Sequence, residues 1–437
     1  MLRRLASLLA LVTAALTLSG AWALPASAVA FTAAAPAAPP STWHAGKALA
    51  AADRYLVQAW ASDCPPPTGA CATDDRPTMG VFVQRARDVA VRPHWSRPIR
   101  VSPNGAQASR PAIAAKGTTV AVGWVSQTSY LRYEPAAPRS FSVRISVDQG
   151  ATWRHPVRLS PRGGRVDYPR LAVAGRRVYA TWTDADSGAI RFAISEDRGR
   201  TWTKRTVAMT TSKAAGWQEG FAGYPDVGAS GNDVALIWFA GNGGAQRALV
   251  SAVGGTDLRL SSAPAALVGA SPNHGEQYPA AAGSAASGDP RVALAYTTGT
   301  GLAVRIFDGA TLGPRVGVLT WPLVAGGVAY GDGYGPAVLP TGRSHLLVAV
   351  AACRRNAALA HPCNPASPGA RTDVLYTEST DGGATWLAPR RLTDAAVSPY
   401  KVNDEPSLAL TGRVRQVSFD RYQSSFVDYR VWMRSGS

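Results

Sequence analysis

The chain has 437 residues and a formal net charge of +17 at pH 7. Such a charge draws a protein to polyanions. The alternative is that the basic residues only form a well-hydrated surface. The basic residues are spread along the chain without a long run, an RNA-binding signature or zinc-finger spacing, which excludes a specific nucleic-acid partner. The sequence also lacks a G-x-S-x-G elbow, a phosphate loop and a dinucleotide fingerprint, so we expect no cofactor.

Residues 1–28 have the features of a secretory signal peptide. Met1-Leu2-Arg3-Arg4 is a basic head, an apolar run follows from Leu5 to Leu18, and Ala26-Ser27-Ala28 is an A-x-A cleavage site. The apolar run is too short to span a bilayer comfortably. We therefore expect a secreted protein, extracellular or associated with the cell wall, without a membrane span. The Ala- and Pro-rich residues 29–42 read as a linker.

One unit recurs seven times between residues 43 and 437, which we predict to be one domain. In its best copies an aromatic residue follows a proline by 13 positions. These copies are Pro111 to Trp124, Pro169 to Trp182, Pro225 to Trp238 and Pro406 to Phe419. Looser copies start at Lys47, Pro279 and Pro336. Each copy has a central turn followed by apolar residues at alternate positions, which predicts a β-hairpin.

In the units where the repeat pattern is most complete, a second hairpin follows the first. Two hairpins per unit predict a four-stranded antiparallel sheet. Successive units start 54 to 70 residues apart, which suits a propeller blade. We therefore predict an all-β fold, a seven-bladed β-propeller of four-stranded antiparallel blades. A solenoid or a row of sandwiches is the alternative. The seventh unit lacks a fourth strand, and we expect residues 41–46 to supply it and close the ring.

The turn of the second hairpin carries the pattern S-x-D-x-G-x-T-W in three units. Ser and Asp side chains accept hydrogen bonds from the N–H groups of a tight turn, and Gly supplies a positive φ. Trp buries a large ring and fixes the hairpin to its sheet. We therefore expect a structural role, and not a metal-binding one, for these residues. They are Ser146, Asp148, Gly150, Trp153, Ser195, Asp197, Gly199, Trp202, Ser379, Asp381, Gly383 and Trp386.

This pattern resembles the Asp-box, or BNR repeat, of sialidases and related β-propellers. The resemblance covers residues 43–437 and implies a functional face around the central axis, opposite the Asp-boxes. It also offers a six-bladed sialidase-type propeller as an alternative to seven blades. Sialidases are expected to have an F/Y-R-I-P motif, and the nearest match, Ser109-Arg110-Pro111, lacks the aromatic residue and the isoleucine. Related propellers cleave plant glucans or only bind partners.

In a propeller the first strand of each blade lines the axis, so the residue before each proline should lie at one mouth of the channel. Tyrosines, acids and an arginine at such a mouth suit a sugar, because rings stack on sugar faces and paired carboxylates can cleave a glycosidic bond. The alternative is that Tyr-Pro simply starts an inner strand. The predicted catalytic residues are Glu276, Tyr278, Asp332 and Glu405. The predicted substrate-binding residues are Arg110, Asp167, Tyr168, Tyr224, Tyr334 and Asp404, and Asp226 is a further acid nearby.

The four cysteines form two local pairs, Cys64 with Cys71 and Cys353 with Cys363. Export makes disulfides possible, and we expect the local pairing among the three connectivities that four cysteines allow. Neither pair has C-x-x-C spacing, and the six histidines form no ligand pattern, so we expect no metal site.

Two functions are open. The first is a propeller that binds extracellular or cell-wall glycans at its central channel without catalysis. The second is a glycoside hydrolase of sialidase-like type, an exo-sialidase or a related glycosidase. A hydrolase needs two carboxylates, or a Tyr/Glu pair and an acid, about 5–9 Å apart in a pocket. In both cases we expect a monomer whose partner is a glycan or another anionic extracellular polymer.

Overall fold

A computed structural model describes most of the chain from residue 35 onward. The described residues are 35–36, 44–62, 79–87, 94–105, 107–127, 138–209, 223–239, 246–251, 265–268, 279–298, 300–356, 371–393, 402–422 and 430–436. These residues form 29 β-strands. Within the described ranges, no helix is both long enough and apolar enough to cross a membrane.

The strands of the described residues make seven small antiparallel sheets, and the first three follow one another along the chain. The first sheet contains β2 (His44–Ala52), β3 (Tyr55–Ser62), β4 (Gly80–Arg87) and β5 (Ile99–Arg100). The second contains β6 (Gln107–Lys116), β7 (Thr119–Gln127), β8 (Arg139–Ser146) and β9 (Val157–Arg158). The third contains β10 (Val166–Ala174), β11 (Arg177–Asp184), β12 (Ala189–Ser195) and β13 (Thr203–Met209).

The next three sheets continue the order, and the sixth has an additional strand at its start. The fourth sheet contains β14 (Gly223–Ser230), β15 (Asp233–Phe239), β16 (Gln246–Ser251) and β17 (Ala265–Val268). The fifth contains β18 (Ala280–Gly283), β19 (Val292–Thr298), β20 (Gly301–Phe307) and β21 (Val316–Thr320). The sixth contains β22 (Leu323–Ala325), β23 (Val328–Gly342), β24 (His345–Arg354), β25 (Thr372–Ser379) and β26 (Arg390–Arg391).

The seventh sheet joins the two ends of the described chain. It contains β27 (Val402–Thr411), β28 (Val414–Tyr422), β29 (Arg430–Gly436) and, at its outer edge, β1 (Ala35–Pro36). Ala35 pairs with Met433 and Pro36 with Trp432. The expectation that residues 41–46 supply this strand is therefore wrong, because residues 44–46 already belong to β2. Residues 41–43 lie outside the described part. A two-residue backbone pairing needs no side-chain pattern, so no pattern in the sequence marks it.

The seven inner strands are neighbours in chain order, and the first of them also contacts the last. They are β2, β6, β10, β14, β18, β23 and β27. The hydrophobic core is divided in the same way, into clusters shared by consecutive sheets. One further cluster joins Leu49, Leu56 and Trp60 of the first sheet to Ala409 of the seventh. The chain is thus all-β, with small antiparallel sheets in a β-propeller arrangement.

The aromatic residue of the repeat lies on the second strand of the first hairpin and fills these interfaces, and only the sixth sheet of the described residues has an alanine, Ala349, at this position. Trp60, Trp124, Trp182, Trp238 and Tyr296 are all at most 2% exposed. Alternation along a strand points successive side chains to opposite faces, and both faces of a sheet inside a ring are covered by neighbours. The periodic apolar positions therefore become buried on both sides, which explains why one repeat pattern suffices for the whole domain.

Candidate functional site

The two ends of each sheet differ in what they carry, as the second sheet shows. Lys116 pairs with Thr119 at one end of the first hairpin, and Gln107 pairs with Gln127 at the other. Ser146, which begins the S-x-D-x-G-x-T-W turn, pairs with Val120. The turn therefore lies at the Lys116 end. Arg110, near the start of β6, lies toward the opposite end, as the family resemblance implies for a functional face.

The three S-x-D-x-G-x-T-W turns have the same hydrogen bonds. In the first, the backbone N–H of Gly150 donates to Ser146 Oγ at 2.8 Å and that of Thr152 donates to Asp148 Oδ1 at 2.9 Å. Thr152 Oγ1 also donates to Asp148 Oδ2 at 2.6 Å. The turns beginning at Ser195 and Ser379 repeat this set. The aspartates thus satisfy the backbone of their own turns.

These hydrogen bonds favour the ionised aspartates. Those from Thr385 and Ser379 lower the pKa of Asp381 to about 2. Burial acts to raise the pKa of Asp148, but the hydrogen bonds from Thr152 and Ser146 outweigh it and leave that pKa below its ordinary value. The pKa of Asp197 is lowered in the same way. No group of His, Cys, Asp and Glu side chains among the described residues could hold a metal ion.

At the opposite end, the residue before the proline of the inner strand has an unusual backbone. Arg110, Tyr168, Tyr224 and Glu405 have φ values of 50°, 51°, 53° and 45°. In the sixth sheet Gly335 holds this position with a φ of 55°. The strand register shifts at the same place in all five sheets, so the residue forms a β-bulge. A left-handed backbone conformation costs a residue other than glycine about 1–2 kcal/mol. Such positions are concentrated at binding and catalytic sites.

Three of these bulge residues contact one another across neighbouring sheets. The guanidinium carbon of Arg110 lies 4.7 Å from the centre of the Tyr168 ring. The rings of Tyr168 and Tyr224 are 4.1 Å apart at a tilt of 57°, and their hydroxyl groups are 3.3 Å apart. We call Arg110, Tyr168 and Tyr224 the mouth arc. Its side chains come from β6, β10 and β14, so it covers three consecutive sheets.

Asp167 binds the arginine of the mouth arc and a second arginine. Its carboxylate accepts from Arg110 at 2.7 Å and from Arg139 at 2.9 Å, and its side chain is 5% exposed. One buried carboxylate between two guanidinium groups leaves a net positive charge at this place. The Arg110 side chain keeps 33% of its surface exposed. The predicted binding residues Arg110, Asp167, Tyr168 and Tyr224 are thus brought together, and Arg139 joins them from the third strand of the second sheet.

Asp226, two residues beyond Tyr224, is the acid with the most altered ionisation in this region. Its carboxylate accepts the backbone N–H groups of Ala281 and Val227, each at 2.9 Å. Burial raises the pKa of Asp226 to about 6, although the charge of Arg170 and the two N–H groups act to lower it. A carboxyl group with a pKa near neutrality can donate or accept a proton under ordinary conditions.

The remaining predicted residues of the described part lie on the sixth and seventh sheets. Asp332 accepts the N–H of Gly333 at 2.6 Å, and Tyr334 is 8% exposed beside Ala351 and Cys353. Glu405 is exposed at the bulge of the seventh sheet. Asp404 pairs with Asp420 along the backbone. Glu276 and Tyr278 lie outside the described residues, so their catalytic roles stay predictions.

Cys353 is fully buried at the end of β24 and is disulfide-bonded. Its expected partner Cys363, like Cys64 and Cys71, lies outside the described residues, so both pairings stay predictions. The strand ends beside Cys353 are held by a buried carboxylate. Asp373 accepts from Tyr330 at 2.8 Å, Arg354 at 2.7 Å and Thr393 at 2.5 Å.

At the end of the inner strands that carries the S-x-D-x-G-x-T-W turns, Lys116 joins two sheets that are not neighbours. Its ammonium group donates to the backbone carbonyls of Ser284 at 2.9 Å, Ala285 at 2.7 Å and Ala286 at 3.3 Å. These residues belong to the turn after β18 in the fifth sheet, 168 to 170 positions further along the chain. Burial lowers the pKa of Lys116, while the charges of Asp289 and Asp53 raise it.

Sequence reasoning found the bulge positions but missed Arg139 and Arg170 near them and Lys116 at the opposite end of the sheets. The roles of these three residues follow from contacts that the repeat pattern does not encode. Asp226 stands one residue after the proline of its repeat, where the other units have Ala112, Arg170, Ala280, Ala337 and Ser407. Asp226 is the one acid among these aligned positions, and that difference could have identified it from the sequence.

Several solved structures similar to this chain are sialidases. A Trypanosoma rangeli sialidase in complex with the inhibitor DANA has a TM-score of 0.49 at 10% identity, and the match covers 90% of this chain and 55% of that one. A Hadza microbial sialidase has 0.46 at 11%, covering 90% and 66%. An intramolecular trans-sialidase from Ruminococcus gnavus in complex with oseltamivir carboxylate has 0.48 at 10%, covering 91% and 95%.

This chain thus spans about half the length of the Trypanosoma rangeli enzyme. No protein-family model matches the chain, and no curated protein does. At identities near 10% and TM-scores below 0.5, these neighbours decide neither the activity nor the substrate of the chain.

Proposed function

We propose that this protein is a secreted, seven-bladed β-propeller of sialidase-like, Asp-box type that binds an acidic glycan at the mouth arc without catalysis. The observation that carries the proposal is the contact series of Arg110, Tyr168 and Tyr224 on three consecutive sheets. Seven blades are supported by the seven sheets of the described residues and by the contact of β2 with β27. Secretion is supported by the signal-peptide pattern and by the disulfide at Cys353.

The chemistry of the mouth arc favours a sugar that carries a carboxylate. Two tyrosine rings and their hydroxyl groups provide apolar surface and hydrogen bonds side by side, as sugar rings require. Arg110 and Arg139 share one carboxylate, so the arc retains positive charge for an anionic group. An exposed guanidinium binds a carboxylate with two parallel hydrogen bonds, which a neutral sugar cannot accept in the same way.

Calorimetric titration with oligogalacturonate, a sialyl-oligosaccharide and a neutral glucan oligosaccharide tests the proposal. We expect an acidic sugar to bind at least tenfold more tightly than the neutral one, and Arg110→Ala to abolish that preference. Arg415→Ala is the matched control, because Arg415 is also partly exposed and also pairs with a buried carboxylate, that of Glu378 at 2.9 Å. Equal binding of acidic and neutral sugars, or an equal loss in both variants, would contradict the proposal.

The second candidate, a glycoside hydrolase, is favoured by Asp226. A general acid must hold its proton at the working pH, and burial raises the pKa of Asp226 to about 6. In this candidate Asp226 is the acid, and the nucleophile or base comes from Glu276, Tyr278, Asp332 or Glu405.

Fluorogenic glycosides, including a sialoside, separate the two candidates. A hydrolase working through Asp226 should lose activity as pH rises above 6, and Asp226→Asn should lose at least a hundredfold in kcat. Glu276→Gln tests the predicted catalytic partner in the same assay. If no glycoside is hydrolysed and an acidic oligosaccharide binds tightly, the hydrolase candidate is excluded and the binding function is supported.

A further inference from the structure

A second charged surface lies along the outer edges of the second and third sheets, whereas the mouth arc lies on inner strands. It is formed by the Asp-box turns and outer strands of the second and third sheets. Residues 154–205 contain twelve Arg and Lys and five Asp and Glu, so they hold seven of the chain's seventeen net positive charges. We call the outward-facing basic residues of this surface the rim cluster. They are Arg154, Arg158, Arg198, Arg200 and Lys204.

The members of the rim cluster are close to one another across the two sheets. Arg154 Nη1 donates to the backbone carbonyl of Arg198 at 2.7 Å, which joins the second-sheet turn to the third-sheet turn. Burial lowers the pKa of Lys204, and the positive charge of Arg158 lowers it further. Arg158 lies on β9 and Lys204 on β13, the outer strands of adjacent sheets.

The acids of the same stretch do not neutralise the rim cluster, because other groups hold them. Asp184 pairs with Arg191 at 2.8 Å and Asp186 with Arg165 at 2.6 Å. Glu196 lies 3.6 Å from Arg177. The two remaining acids are Asp167, bound below the mouth arc, and Asp197, bound by its own turn. Arg158, Arg198, Arg200 and Lys204 are exposed and form no ion pair within the described part of the chain.

We propose that the rim cluster is a second binding surface, for a linear acidic polysaccharide. Its cations are spread along two outer strands and two turns and do not converge on one point, which suits repeated anionic groups on a polymer. No Trp, Tyr or Phe ring within residues 154–205 is exposed, so the surface offers no large ring on which nucleic-acid bases could stack. The rim cluster does not depend on the mouth arc, and either can fail without the other.

Binding of polygalacturonate and dextran sulfate at several salt concentrations tests this surface. In the full chain, Arg158→Ser, Arg200→Ser and Lys204→Ser are combined in one rim variant. The matched control combines Arg315→Ser, Arg390→Ser and Arg413→Ser, which removes three exposed cations from the fifth, sixth and seventh sheets. Arg110→Ala reports on the mouth arc in the same assay.

We expect the rim variant to bind the polymers about tenfold more weakly or worse, and its binding to depend less steeply on salt. The control variant should change binding of both polymers by less than about threefold. Arg110→Ala should do the same for dextran sulfate, which lacks the carboxylate that the mouth arc is proposed to bind. Equal losses in the rim and control variants would overturn the proposal, because net charge alone would then explain binding. Binding of single- or double-stranded DNA as tight as that of the polysaccharides, and equally sensitive to the rim variant, would overturn it as well.

Discussion

The two ends of the sheets differ in which feature is repeated from sheet to sheet, the side chains or the backbone conformation. The Asp-box turns repeat their side chains: the same Ser, Asp, Gly and Thr make the same hydrogen bonds in the second, third and sixth sheets. The bulges before the prolines repeat their backbone instead, and carry Arg110, Tyr168, Tyr224, Gly335 and Glu405 at one left-handed position. Where the chemistry is constant the role is structural. Where the backbone is constant and the side chain varies, the fold places chemically different groups at one position.

The largest expected effect lies at the glycine of the Asp-box turns. Gly199 has a φ of +81°, and a Cβ there would overlap the side chain of Ile145. Gly150 has a φ of +82°, but its Cβ would find the Trp153 ring at 3.6 Å, an ordinary contact. We expect Gly199→Ala to reduce the free energy of unfolding by about 3 kcal/mol and Gly150→Ala by about 1 kcal/mol. Chemical denaturation measures both, and equal losses would show that backbone strain alone sets the cost and that the overlap with Ile145 adds nothing.

The second effect distinguishes the two ends by their pH dependence. The pKa of Asp226 is about 6 in the folded chain, above the value of about 3.9 for an unfolded Asp. Its protonated form therefore stabilises the fold fully below pH 4, and this stabilisation is lost as pH rises through 6. Relative to Asp226→Asn, the wild type should lose about 2–3 kcal/mol of unfolding free energy between pH 4 and 7.5. A constant difference across this range would contradict the burial of the carboxyl group.

Asp381 provides the control of opposite sign. Its pKa is lowered to about 2, so its ionised form stabilises the turn above pH 4, and this contribution is lost as pH falls through 2. Relative to Asp381→Asn, the wild type should therefore become less stable on acidification, whereas relative to Asp226→Asn it should become more stable. The same denaturation series, extended to low pH, measures both.

The third effect concerns the contact between the second and fifth sheets. Lys116→Met keeps most of the side-chain volume but removes the ammonium group that donates to three carbonyls. Hydrogen bonds from a charged donor contribute about 1.5–3 kcal/mol, so we expect a loss of about 2 kcal/mol of unfolding free energy. Lys204→Met, at an exposed lysine, should change stability by less than about 0.5 kcal/mol. Similar values for the two variants would mean that the contact adds nothing.

The smallest effect on stability is expected at the mouth arc. Tyr224→Phe removes one partner of a hydroxyl pair at 3.3 Å and leaves the ring contact with Tyr168 in place. The free energy of unfolding should change by less than about 1 kcal/mol. If the arc binds an acidic sugar, affinity should still fall severalfold, measured by the calorimetric titration above. A large loss of stability with unchanged affinity would give the tyrosine a structural role.

Much of the architecture was accessible from the sequence because it rests on local patterns. The spacing from Pro111 to Trp124 predicts a hairpin, and its repetition predicts small antiparallel sheets around an axis. The closing strand was misplaced, because the pairing of Ala35 with Met433 and Pro36 with Trp432 has no pattern to mark it. Counting residues cannot reveal a pairing that two backbone segments make at the edge of a finished sheet.

The candidate site was accessible only in part, for a similar reason. The residue before each proline could be read from the repeat, and Arg110, Tyr168 and Tyr224 do contact one another. That Asp167 is held by Arg139, and that burial raises the pKa of Asp226, depends on which strands become neighbours. Such properties belong to interfaces between sheets and not to any single unit.

The bond between Lys116 and the fifth sheet also bears on how this chain comes to fold. Lys116 is synthesised about 170 residues before the carbonyls that it contacts, so its ammonium group stays hydrated until those residues have been made. Contacts of such long range slow the search for the native state. The first blades to leave the ribosome therefore reach their final stability only after the fifth has been synthesised, and an early stop upstream of Ser284 would yield a product that lacks this clasp.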